Sequence, residues 1–92
     1  MITREYTILH GVGLHARPAA RFAKLAKSFG SSIRVKNLTR NGEQVDAKSL
    51  VKVIKMAAAQ GHTIELSIDG SDEEAAAEAL GSFLTDVPED ER

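Results

Sequence analysis

The chain has 92 residues, 42% of them hydrophobic, no cysteine and a formal net charge of −1. That length holds one domain with a core one or two layers thick, so a surface site is expected rather than a chamber walled on all sides. Without cysteine there is no disulfide, thiolate metal site or cysteine nucleophile, and a slightly acidic balance speaks against a nucleic-acid binder, which needs a basic excess to meet phosphates.

The opening run Met1-Ile2-Thr3-Arg4-Glu5 lacks the charged-then-apolar pattern of a secretory signal. No stretch reaches the roughly 18 apolar residues of a membrane span, so a soluble, unexported, cytoplasmic protein without membrane insertion is expected. Weak alternation around Tyr6 and Ile8 predicts a first strand. A glycine-containing loop, 11–14, leads into a helix predicted from about Arg17 to Ser28, in which Phe22, Leu25, Ala26 and Phe29 recur at helical spacing and Gly30 offers a stop. Alternation around Ile33 and Val35, and again around Val45, predicts two strands paired as a hairpin, with Asn41-Gly42 supplying turn chemistry between them. Ser49 reads as the N-cap of a short helix running to about Ala58, ended before Gly61. The clearest strand is Thr63-Ile64-Glu65-Leu66-Ser67-Ile68, whose isoleucines and leucine share one face. A last helix from about Asp72 carries acids in its first turn and Ala76, Leu80, Phe83 and Leu84 on one side.

The order βαββαβα predicts an α+β fold, a four-stranded antiparallel sheet with three helices packed on one face. Phe22, Phe29 and Phe83 are expected in its core. Residues 1–86 form the predicted domain, and residues 87–92 an acidic C-terminal tail. In the short helix, Leu50, Val51 and Ile54 cannot face the sheet if Val53 and Met56 do, so some apolar surface stays exposed. Charge is also uneven: residues 1–55 carry eleven Lys and Arg against three acids, and residues 56–92 one against ten. The basic part is either an ordinary solvated face or a docking surface for acidic partners.

The chemistry concentrates in Gly11-Val12-Gly13-Leu14-His15-Ala16-Arg17-Pro18-Ala19-Ala20. Pro18 suits the opening turn of a helix, where its missing N–H costs nothing, so His15 is expected at the helix N-terminus. Unpaired backbone N–H groups and the positive end of the helix dipole favour an anion there. A substantial fraction of imidazole is neutral at neutral pH and can take a phosphoryl group covalently, and the Arg17 guanidinium has donors matched to phosphate oxygens. His10 and His62 fall at no metal-ligand spacing and are expected on the surface. Glu73, Glu74 and Glu78 read as a solvated helix face. No metal and no cofactor is expected.

The segment resembles the motif Gly-Leu-His-x-Arg-Pro-Ala of the HPr family, the histidine phosphocarriers of the bacterial phosphotransferase system. Gly13, Leu14, His15, Arg17, Pro18 and Ala19 match it, and the resemblance extends through Asn41-Gly42, Ala47-Lys48-Ser49-Leu50, Gln60-Gly61 and the alanine-rich last helix. One departure is a longer connection around Asn37-Leu38-Thr39-Arg40. The resemblance implies an open-faced β-sandwich, with His15 as phosphoacceptor and Arg17 stabilising the phosphate. It implies an enzyme I-type phosphodonor and downstream transporter (EIIA-type) domains as partners of a carrier that is not itself an enzyme; a monomer is the default expectation, with the oligomeric state left open. It also implies a docking face with Ala20, Leu50, Val51 and Ile54 as apolar contacts and Arg21, Lys24, Lys27, Lys48 and Lys52 as basic rim. In some relatives the serine at the place of Ser49 is phosphorylated by an ATP-dependent kinase, so a regulatory interaction module, or a nitrogen-related branch that does not serve sugar uptake, is the alternative. A sheet-based RNA binder is disfavoured, because Tyr6 is the one strand aromatic able to stack a base.

Overall fold

Four segments with alternating apolar side chains build one antiparallel sheet in the computed structural model, which describes residues 1–8, 16–56 and 61–85, the first three of the middle stretch by backbone alone. The elements run β1 (Ile2–Thr7), α1 (Ala16–Lys27), β2 (Ser32–Asn37), β3 (Val45–Asp46), α2 (Leu50–Lys55), β4 (Thr63–Asp69) and α3 (Glu73–Thr85). Strand order is β1-β4-β2-β3, all neighbours antiparallel. The expected order and sheet are therefore observed. The second half of the expected short helix, 57–60, and the acidic tail lie outside the described residues.

β4 has the cleanest alternation because it lies between β1 and β2. Ile64, Leu66 and Ile68 face Tyr6 and Ile2 on one side and Val35 and Ile33 on the other. A slip of one residue would turn all of them to solvent, so this apolar face fixes the register. The helices cover that face: Ala19, Phe22 and Ala26 of α1, Val53 of α2, and Ala76, Ala77, Leu80 and Leu84 of α3 are fully buried against it. Each large apolar side chain so buried stabilises the fold by about 1.5–3 kcal/mol before chain entropy is counted. Phe22 is buried as expected, and its ring lies 5.9 Å from that of Phe83, tying α1 to α3. Phe29 and Phe83 differ from expectation: both are half-buried and pack against the edge of the core, Phe29 because α1 ends at Lys27, two residues before it, and Phe83 from a position on α3 beside the fully buried Leu84.

The β2–β3 hairpin closes through a long connection rather than a two-residue turn. The Gly42 N–H donates to the Asn37 carbonyl, and Asn41 adopts a left-handed φ of 52°, a conformation asparagine tolerates well. The end of α1 also departs from the expected glycine cap, since Gly30 is not left-handed. Instead the Asp72 carboxylate, just before α3, accepts from the Gly30 and Ser31 N–H groups at 2.8 and 2.9 Å and from the Ser31 hydroxyl. Those donors hold the Asp72 carboxyl below its usual range, the Ser31 hydroxyl most strongly. Gly81 of α3 lies against β1, where a Cβ would come within 2.6 Å of the Tyr6 ring.

Candidate functional site

α1 begins at Ala16, the residue that follows His15, and takes Arg17 and Pro18 into its first turn. Proline is harmless there because the first N–H groups of a helix have no intrahelical acceptor. Residues 9–15, with His10 and His15, lie outside the described residues, as does the Arg17 side chain. Past that turn the helix divides cleanly. Ala19, Phe22, Ala23 and Ala26 are buried, while Ala20, Arg21, Lys24 and Lys27 are exposed on the opposite side.

α2 packs beside α1 and is built by local hydrogen bonds. The Asp46 carboxylate accepts from the Lys48 N–H at 2.9 Å, turning the chain out of β3. The Ser49 hydroxyl then accepts from the Lys52 N–H at 3.4 Å, as an N-cap should. Val53 and Met56 point inward, leaving Leu50, Val51 and Ile54 exposed at 38%, 61% and 42%. These three are, with Met1, the large hydrophobic side chains most exposed among the described residues. Lys52 is exposed beside them.

Eight of the nine expected docking residues are thus exposed, on two adjoining helices. Lys48 is the exception. It is half-buried, and its ammonium donates to the Phe29 carbonyl at 2.8 Å, a cation satisfying a free carbonyl just past the end of α1. The bond ties the segment leading into α2 to the segment leaving α1, so Lys48 contributes to the rim less than its composition suggests. Ser49 is half-buried next to it.

His62 also corrects an expectation. It is half-buried, with Nδ1 3.2 Å from Nδ2 of the fully buried Asn37. The same amide donates to the Met56 carbonyl at 3.2 Å, and its oxygen accepts from the Arg40 N–H at 3.3 Å. Sequence reasoning left Asn37 in a connection. Its place two residues after Val35 and four after Ile33, on the buried face of β2, was the available signal. Among the described residues no His, Asp and Glu gather into a metal site, and no helix is long and apolar enough to cross a membrane. Of the last helix's acids, Glu73 accepts from the Gly70 N–H at 3.2 Å and from the Met1 amine at 3.1 Å, which lowers its pKa, the Gly70 bond foremost. Glu74 and Glu78 are exposed.

Residues 2–86 match the family described as the PTS HPr component phosphorylation site. The phosphocarrier protein HPr of Cupriavidus necator is 45% identical over 84 residues, 91% of each chain. The multiphosphoryl transfer protein of Vibrio cholerae is 46% identical over 79 residues, 86% of this chain but 20% of that larger protein. In three dimensions the chain resembles crystalline HPr from Bacillus anthracis with a TM-score of 0.86 and 32% identity, covering 91% of this chain and 96% of that one. A sequence match across the whole domain and a matching fold lead to one conclusion: the chain belongs to the HPr family and is a phosphocarrier of the phosphotransferase system, a carrier of phosphoryl groups and not a catalytic enzyme.

Proposed function

We propose that His15 is the phosphoacceptor, that Arg17 stabilises the phosphate, and that the joined faces of α1 and α2 receive an enzyme I-type donor and the downstream transporter (EIIA-type) domains in turn. The supporting observation is that α1 begins immediately after His15, within Gly13-Leu14-His15-Ala16-Arg17-Pro18. The unprotonated ring nitrogen attacks phosphorus, an N–P bond forms as the donor's bond to phosphorus breaks, and the reverse exchange passes the group on. Free N–H groups of the first helical turn and the guanidinium offset the added negative charge. The retained transfer potential of an N–P bond suits a relay.

Docking is carried by an apolar centre, Ala20, Leu50, Val51 and Ile54, inside a basic rim of Arg21, Lys24, Lys27 and Lys52, the arrangement of a transient interface. Ser49 borders that face, where a phosphate would add about −1.5 to −2 charges and repel acidic partners, making it the regulatory residue. Residues 1–86 act as one domain followed by an acidic tail, in the cytoplasm and as a monomer. Replacing His15 by Ala tests the assignment. The variant should keep its fold by circular dichroism and lose all acid-labile labelling by the upstream phosphodonor. Undiminished acid-labile phosphate on H15A would refute it.

A further inference from the structure

Beside the end of α2 lies a groove of about 270 Å³ lined by Arg40, Gly42, Glu43, Val45, Lys55 and Met56. Its two walls come from different parts of the chain, the long β2–β3 connection and the last residue of α2. Both are keyed to one buried side chain: Asn37, 0% exposed, accepts from the Arg40 N–H and donates to the Met56 carbonyl. The connection is pinned again by Thr63, whose carbonyl accepts from the Leu38 N–H at 2.9 Å and whose N–H donates to the Thr39 hydroxyl at 2.8 Å. The added length around Asn37–Arg40 is therefore an ordered wall. Arg40 and Lys55 are exposed, and among the described residues neither side chain has a hydrogen-bond or ion-pair partner. Half-buried Val45 and the nearly buried Met56 supply an apolar lining.

We propose that this groove is a second docking site, which receives an acidic side chain of a phosphotransfer partner already seated on the α1–α2 face. Size and charge select that occupant. About 270 Å³ is below the usual range for small-molecule pockets, about 300–1,000 Å³, and suits a side chain better than a metabolite. Two cations against the single carboxylate of Glu43 match a monoanion such as Asp or Glu better than the dianion of a phosphate ester. The groove opens at the C-terminal end of the helix that carries the proposed docking face, Lys55 being the last residue of α2. It rests on the docking reading above, and it makes the β2–β3 connection a determinant of partner choice.

The test measures affinity for the purified upstream phosphodonor and for a purified downstream acceptor domain, using the full chain. The R40E/K55E pair should weaken binding to at least one of them about three- to tenfold, with the loss shrinking at high salt, and E43Q should tighten the same complex. Amide signals confirm folding, and R40Q/K55Q serves if charge reversal unfolds the chain. V51D separates the two readings. If V51D weakens binding while R40E/K55E stays within twofold of the parent for both partners, the groove is refuted and the docking face stands. If neither change matters, the docking face itself is refuted and the groove with it. Inorganic phosphate moving the amide signals of Arg40, Gly42 and Lys55 when neither partner does would also overturn the proposal.

Discussion

Lys48 and Asp72 show how a charged side chain on the surface of a small domain can be committed to backbone. Lys48 donates to the Phe29 carbonyl, two residues past the end of α1, and Asp72 collects the Gly30 and Ser31 N–H groups that follow it, so the two act on either side of one chain reversal. Neither role was legible in the sequence, where Asp72 looked like a first-turn acid of α3 and Lys48 like part of a basic rim. Long-range pairing of a side chain with backbone leaves no periodicity to read. Because folding lowers the Asp72 pKa, its stabilisation is full above the ordinary carboxylate range and is lost as pH falls through the folded value. D72N should therefore melt at lower temperature than the parent near neutral pH, and the gap should close below about pH 4. Thermal unfolding from pH 2 to 7 checks this, and a gap constant across that span would contradict it.

At the scale of elements, α2 is the informative case, because six residues divide between core and solvent. Val53 is fully buried and Val51 is 61% exposed. V53A should destabilise the domain by about 2 kcal/mol through lost burial and a residual cavity, whereas V51A should stay within about 0.5 kcal/mol of the parent and instead weaken partner binding. Denaturant unfolding together with binding measurements separates the two, and equal destabilisation would mean that α2 does not sit as described. This division was legible beforehand, since five apolar residues on one short helix cannot all face one sheet. The sheet was legible for the same reason: Ile64, Leu66 and Ile68 can share a face only in a strand. The hairpin connection was less so, because the buried Asn37 carries a polar side chain and breaks an apolar pattern that its position continues.

Across the whole molecule, charge and topology agree. The strongly basic first part of the chain places Arg21, Lys24, Lys27 and Lys52 on α1 and α2 with the exposed apolar residues of those helices, and among the described acids of the later part Glu73, Glu74 and Glu78 lie on α3, Asp72 just before it, and Glu65 and Asp69 on β4. Such separation speeds encounters with acidic partners without demanding high affinity, which suits a carrier that must leave after each transfer. The motif around His15 could be read directly, since six matching residues over a short span straddle the start of a helix, which the structure places at Ala16. Arg40 and Lys55 could not, being neighbours only after folding. Mapping the phosphate tests the central claim most directly. After incubation with the upstream phosphodonor, tandem mass spectrometry at alkaline pH should find one acid-labile phosphate per chain, on His15. Phosphate on His10 or His62 instead, or none on any histidine, would contradict it.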